Sequence, residues 1–182
     1  MSRINATPIQ RFRVPLGFLF AAIFLIFARP KPLTLAIGGA IAVVGLLIRA
    51  WASGHIRKNQ TLAVSGPYAY TRNPLYLGSF VLGVGFTIAA GVWWLGIIFI
   101  ALFLGIYLPV MRVESGDLAK LFGAEYEEYA GRVPLFFPRL TAYRASDAKF
   151  DMSLYMRHRE YQAALGLIFA LLILAFKTFF LK

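Results

Sequence analysis

The reading of residues 74–111, PLYLGSFVLGVGFTIAAGVWWLGIIFIALFLGIYLPVM, decides the fold. These 38 residues contain no Asp, Glu, Lys, Arg or His. The hydrocarbon core of a bilayer is about 30 Å thick, so a helix rising about 1.5 Å per residue needs about 20 apolar residues to cross it. As helix the run would measure about 57 Å, close to two crossings. Ala89-Ala90-Gly91 lies near its middle, and Trp93-Trp94 follows. Small residues permit a reversal, and tryptophan favours the membrane interface. The pattern predicts a tight helical hairpin, Leu75–Ala90 followed by Val92–Val110.

Three further apolar runs flank the hairpin. Residues 14–28 lie between Arg13 and Arg29, whose long side chains can reach the two interfaces. No small-x-small cleavage site precedes the Arg29-Pro30-Lys31-Pro32 turn, so this run is expected to be a span and not a cleaved leader. Residues 33–50 carry Gly38, Gly39 and Gly45, which allow close helix contact. Residues 163–181 are apolar on all faces, interrupted by Lys177 alone, and are expected to span. The expected fold is all-α: a single membrane domain over residues 1–182, with about five transmembrane helices.

Composition agrees. Of 182 residues 59% are hydrophobic and 15% charged, against about 45–50% and about 25% in soluble domains. Mean hydropathy is +0.68. Disorder, coiled coil and an ordinary soluble domain are excluded, and the length leaves no room for a separate soluble nucleotide-binding domain. Cysteine is absent, which removes disulfides, thiolate metal sites and a cysteine nucleophile. His55 and His158 stand alone, without metal-ligand spacing, so no metal is expected.

The net charge of +11 has its reason in the membrane and not in nucleic acid. Lys and Arg collect on the cytoplasmic side, where they meet anionic lipid headgroups. Arg3, Arg11 and Arg13 precede the first run; Arg49, Arg57, Lys58 and Arg72 lie between the second and third; eight more lie between Met111 and Gln162. Arg29, Lys31, Lys177 and Lys182 fall on the other side. The N-terminus is therefore expected inside and the C-terminus outside.

Two polar segments, 51–74 and 111–160, then share the cytoplasmic side, and all eight acidic residues are in the second. In the first, Gly66-Pro67 is a turn, and Pro74 suits the first position of a helix. Arg72 and Asn73 would lie at that helix N-terminus, where free N–H groups favour anions. Tyr68, Tyr70 and Tyr76 add aromatic surface with hydroxyl groups. In the second segment, Leu118, Leu121, Phe122, Tyr126 and Tyr129 share a face at helical spacing. Ser115 is expected to cap this helix and Gly131 to end it. Glu125, Glu127 and Glu128 read as its solvated face. Glu114 follows a span directly, and an ionisable group at that depth is a functional candidate.

Gly66-Pro67-Tyr68-x-x-x-Arg72-Asn73-Pro74-x-Tyr76-x-Gly78 resembles the signature of the integral-membrane methyltransferases, a group comprising isoprenylcysteine carboxyl methyltransferases and phospholipid methyltransferases. Glu114-x-x-x-Leu118-x-x-x-Phe122-Gly123-x-x-Tyr126-x-x-Tyr129-x-x-Arg132-Val133-Pro134 is similar to their second signature. The order of the two and the hairpin between them also match. The similar region runs from about Asn59 to Arg139, under half the chain.

The resemblance implies S-adenosylmethionine as cofactor, held between the hairpin and the C-terminal segment. It implies cofactor contacts at Gln60, Leu62, Val64, Tyr68, Asn73, Leu77 and Glu114, with Arg72 in the same signature. It also implies a lipid or prenylated acceptor entering from the bilayer, with isoprenylcysteine carboxyl O-methyl transfer preferred over phospholipid N-methyl transfer. A carboxylate acceptor arrives ionised and needs a cation, for which Arg112 or Arg132 is placed. An amine must lose a proton, for which Glu114 is placed. Glu114 is expected to pair with Arg72 or Arg132. The chain departs from the pattern at four points: Gln60 and Asn73 stand where the family usually has His, Ser115 replaces the second Glu of a Glu-Glu pair, and Val110 replaces an arginine. Two other classes compete, a nicotinamide-dependent membrane reductase and a non-catalytic membrane scaffold.

Overall fold

A computed structural model describes residues 8–56, 61–144 and 148–180, with the backbone alone for 8–14. The described residues form seven α-helices and one 3-10 turn, without strands. The helices are α1 (Pro8–Phe27), α2 (Pro32–Ser53), α3 (Pro74–Ala89), α4 (Trp93–Phe122), α5 (Ala124–Arg132), α6 (Met152–Arg157) and α7 (Tyr161–Phe180), and the turn is Gly66–Ala69. The protein is an all-helical membrane protein. Among the described residues α2, α4 and α7 are long and apolar enough to cross a membrane, while Pro15–Phe27 and Pro74–Ala89 are shorter apolar helices. Phe18, Leu47, Ile97, Leu165 and Phe169 project outward from these helices with much of their surface exposed. That is costly in water and favourable against lipid tails.

Five helices alternate in direction. At one end Ala28, Ala89, Ala90, Leu95 and Leu174 pack together, which brings the end of α1, the α3–α4 corner and the last part of α7 to one level. There the Arg29 amide donates to the Ala90 carbonyl (2.8 Å), and Lys177 Nζ donates to the carbonyls of Leu25 (2.7 Å) and Ile26 (3.1 Å). A cation on the last carbonyls of a helix satisfies orphan acceptors and opposes the helix dipole.

The α2–α3 pair is the tightest contact. Gly38 and Gly45 on α2 meet Gly85 and Gly78 on α3. A Cβ on Gly38 would stand 2.3 Å from the Ala89 nitrogen, and one on Gly45 would stand 2.3 Å from the Leu82 nitrogen. Both obstacles are backbone, so no rotamer change relieves them. The seven-residue spacing in both helices keeps the stripe facing its partner and delivers Arg49, one turn beyond Gly45, to the start of α3. There a Cβ on Gly78 would lie 2.7 Å from Arg49 Cγ.

The sequence expectations of a helix capped by Ser115 and ended by Gly131 are corrected. Helix α4 runs without interruption from Trp93 to Phe122, so Ser115 is internal to it. The break falls at Gly123, with φ +54 and ψ −130, which a side chain would strain. Helix α5 continues through Gly131 to Arg132. The bend divides the expected apolar face: Tyr126 and Tyr129 are buried, while Leu121 is exposed.

Candidate active site

The two polar segments are bound to each other by a run of main-chain contacts. The Arg72 amide donates to the Pro134 carbonyl (3.0 Å), that of Arg139 to Tyr70 (2.9 Å), and that of Tyr143 to Ala69 (2.9 Å). Thr71, fully buried, donates its hydroxyl to the Phe136 carbonyl (2.8 Å). Asn73 Nδ2 donates to the Leu135 carbonyl (2.9 Å), and the Tyr129 hydroxyl donates to the Tyr68 carbonyl (2.7 Å). Phe136 anchors this assembly in the hairpin, packing on Phe80 and Phe103.

Between these segments and the ends of α2, α3, α4 and α7 lies a cavity of about 620 Å³. Its wall includes Leu62, Tyr68, Arg72, Asn73, Tyr76, Glu114 and Tyr126, and also Arg49, Ser79 and Glu160. Small-ligand sites fall at about 300–1,000 Å³.

One end of the cavity is built around Arg72. Its Nη1 donates to the hydroxyls of Ser115 (3.2 Å) and Tyr126 (3.3 Å), which lie 2.6 Å from each other. These partners are neutral, and among the described residues no carboxylate pairs with Arg72. Its Nε is buried without a partner, as is the Tyr68 hydroxyl. A buried polar atom left unsatisfied costs about 1–3 kcal/mol, so two on one wall mark a place where a ligand completes the bonding. Burial, followed by the neighbouring Tyr129, Glu160 and Glu114, pushes the Tyr68 phenol far above its ordinary range. It therefore stays a neutral O–H donor. Burial raises the Tyr129 phenol in the same way.

The other end is built around Arg49, one turn from the end of α2. Its Nη2 lies 2.8 Å from Glu160 Oε1 and its Nε 3.1 Å from Oε2, a bidentate pair, while Nη1 donates to the Ser79 hydroxyl. One guanidinium thus joins α2, α3 and the residue preceding α7. Both members are shielded, with side-chain exposures of 23% and 10%.

The expected site residues are distributed as follows. Leu62, Tyr68, Arg72, Asn73 and Glu114 line the cavity. Val64 stands behind it, on the cluster of Tyr126, Tyr129 and Val133. Leu77 packs toward Phe103, Met111 and Phe136. Gln60 lies outside the described residues. Arg112 is exposed and does not line the cavity. Arg132 turns to Glu128 (3.6 Å) and to the Tyr143 ring, also away from the cavity. The expected pairing of Glu114 with an arginine is corrected: its partner is the Tyr76 hydroxyl at 2.9 Å, and the group is exposed. The helical hairpin places Tyr76, two residues into α3, beside the lower part of α4, whereas Arg72 is held by Ser115 and Tyr126.

Sequence reasoning passed over Arg49, Ser79 and Glu160 as site residues, and it reads Ser115 as a helix cap. A legible signal existed for Glu160, an acid three residues before the last apolar run. Arg49 carries the corresponding signal, a cation at the end of the second run.

The sequence profile of phospholipid methyltransferases matches residues 33–125, just over half of the chain. The chain belongs to the phospholipid methyltransferase family. The matched part starts with α2 and ends at the α4–α5 bend, so it holds Arg49, the first signature, the hairpin and Glu114, and stops short of Glu160. Among similar curated proteins is a cobalt-zinc-cadmium resistance protein of Cupriavidus metallidurans, 37% identical over 73% of this chain and 64% of that protein. A nickel-cobalt-cadmium resistance protein of Alcaligenes xylosoxydans is 37% identical over 60% of this chain and 50% of its own length. A protein-S-isoprenylcysteine O-methyltransferase of Schizosaccharomyces pombe is 26% identical over 73% of this chain and 58% of that protein. The chain spans about one half to two thirds of the length of these relatives. No solved structure matches it. Among the described residues no group of three His, Asp or Glu side chains could hold a metal ion.

Proposed function

We propose that the protein is an integral-membrane methyltransferase that uses S-adenosylmethionine and acts on a lipid or lipid-linked acceptor at the cytoplasmic face. The observation that carries this reading is the Arg72 end of the cavity: an unneutralised guanidinium whose own buried Nε lacks a partner, on the same wall as the buried and unpartnered Tyr68 hydroxyl. Family membership supports methyl transfer as the chemistry.

The residues present fit the cofactor. Arg72 is suited to a carboxylate, Tyr68 offers a neutral hydroxyl, and Glu114 can accept from amino or ribose hydroxyl groups. Tyr76 and Tyr126 offer aromatic faces. When bound, S-adenosylmethionine supplies a methyl group already activated on a sulfonium. The work left to the protein is placement and exclusion of water. Packing of Phe136 on Phe80 and Phe103 ties the second polar segment to the hairpin. The cavity is lined by residues at the ends of the apolar helices, a depth at which a lipid-borne head group would meet it while its tail stays in the bilayer.

A carboxylate acceptor, the preferred reading, arrives ionised and requires no base. The resemblance to the Schizosaccharomyces pombe O-methyltransferase supports it. An amine acceptor is the second reading, favoured by the accessible carboxylate of Glu114, which can take the proton an amine must lose. The basic asymmetry of the sequence supports a cytoplasmic site, with the C-terminus on the opposite side.

The test uses purified protein in vesicles with methyl-labelled S-adenosylmethionine, one set containing a prenylated cysteine and one containing phosphatidylethanolamine. Label in the first lipid supports O-methyl transfer and label in the second supports N-methyl transfer. Label in neither, with no cofactor binding, contradicts the reading.

A further inference from the structure

Among the described residues two arginines line the cavity, and the proposed cofactor differs from its demethylated product by one positive charge. A cation on the wall of a cavity that receives a sulfonium opposes binding, the more so where the wall is shielded from water. Arg72 faces that problem at the end suited to the cofactor carboxylate. Arg49 has no such use. It is about four-fifths shielded, and its donors are directed to Glu160 and Ser79. Glu160 is not contributed by the family-matched region, which ends at residue 125. It is brought by the segment leading into α7, and it reaches the cavity wall with only 10% of its side chain exposed.

We propose that Glu160 tunes the charge of the site: it cancels Arg49 on the cavity wall and so removes a penalty that a bare guanidinium would place on the cationic methyl donor and not on its neutral-sulfur product. The inference rests on the reading that the cavity takes S-adenosylmethionine. It makes the C-terminal helix part of the site and not an appendage. It also gives the two halves of the ion pair opposite signs. Without Glu160, a bare guanidinium faces the ligand and penalises the sulfonium. Without Arg49, a bare carboxylate faces it and favours the sulfonium. Without either, the wall is again neutral.

Calorimetric titration of detergent-solubilised full-length protein with S-adenosylmethionine and, separately, with S-adenosylhomocysteine reads this directly. The quantity of interest is the ratio of the two affinities. Glu160→Gln is expected to lower the donor-over-product ratio about tenfold, and Arg49→Gln to raise it about fivefold or more, as expected for one partly buried charge within about 10 Å. The double variant Arg49→Gln/Glu160→Gln is expected to return within about twofold of wild type, although the clasp between helices is gone. It carries no unpaired charge; if Glu160→Gln fails to fold, Arg49→Gln, whose ratio is expected to rise, remains the readout that a mere clasp would not move. A clasp that only holds helices together would shift both affinities alike and leave the ratio unmoved. An unmoved ratio in the folded single variants, or single variants that shift it in the same direction, overturns the proposal. A double variant whose ratio stays displaced overturns it as well. Wild-type protein that binds neither compound overturns the cofactor reading itself.

Discussion

Arg72 and Arg49 stand on the wall of one cavity and are held in opposite ways. Arg72 is gripped by two neutral hydroxyls, keeps its charge and has a buried nitrogen without a partner. Arg49 is locked bidentate to a carboxylate, and a third element is tied in through Ser79. A pre-formed ligand site is left electrostatically unfinished, because the ligand completes it. A structural junction in low dielectric has to be finished before anything binds, because a buried unpaired charge is too costly. The difference marks the first end as a place a ligand would complete and the second as the frame that carries it.

The largest expected effect breaks both ends together. Gly45→Leu places a side chain against the α3 backbone, 2.3 Å from the Leu82 nitrogen at Cβ alone. A loss of about 4 kcal/mol or more is expected, enough to prevent purification of folded protein. Chromatographic yield and thermal unfolding in detergent check this, and a variant as stable as wild type would contradict the contact. Next comes Arg72→Gln, which spares the frame. Cofactor affinity is expected to fall about 30-fold, a loss of about 2 kcal/mol, with the melting temperature little changed. Arg49→Ala should do the reverse to stability. Breaking a buried pair costs about 3–5 kcal/mol, and the partial exposure of Arg49 brings the expectation to about 2 kcal/mol, read as a lower melting temperature.

Glu114→Gln tests the chemistry between the ends. Its partner is a phenol and it is exposed, so the penalty of a broken buried pair does not apply. Turnover on an accepted lipid at saturating cofactor is expected to fall about tenfold, or about 1.4 kcal/mol. Activity within twofold of wild type would make Glu114 a structural residue of the α4 end. The smallest effects are expected at Arg112→Gln and Arg132→Gln, which lie off the cavity wall and should stay within about twofold in affinity and turnover.

Much of this was legible in the chain. The charge-free run of residues 74–111 announced the hairpin, and the helices found, Pro74–Ala89 and Trp93–Phe122, differ from the expected spans chiefly at the far end of α4. That end was misplaced because Ser115 resembles a helix cap. Its hydroxyl in fact serves Arg72, and a backbone reversal at Gly123 ends the helix. Local pattern located Tyr68, Arg72, Asn73 and Glu114, since they belong to short motifs beside a span. It could not locate the Arg49–Glu160 pair, whose members are 111 residues apart and meet only once α2 and the segment leading into α7 are packed together. Arg112 and Arg132 are suggested by their place in sequence alone, as cations for a carboxylate acceptor. The direction of their side chains depends on helix phase and on the bend at Gly123, which turns Arg132 toward Glu128 and Tyr143.

The central claim is that the Arg72 end was left unfinished for a ligand, and Tyr68→Phe tests it most directly. The change removes a buried hydroxyl that has no partner in the protein. Removing an unpaired buried polar group is neutral or stabilising by up to about 1 kcal/mol, whereas a ligand that used it loses a hydrogen bond worth about 1 kcal/mol. Thermal unfolding and S-adenosylmethionine calorimetry are therefore run on the same sample. The expected result is a melting temperature equal to or above wild type together with about fivefold weaker cofactor binding. The phenol is held neutral by burial, so wild-type affinity should show no loss from ionisation of Tyr68 near pH 10, where an exposed tyrosine titrates. A variant that is destabilised while binding the cofactor as tightly as wild type would contradict the account.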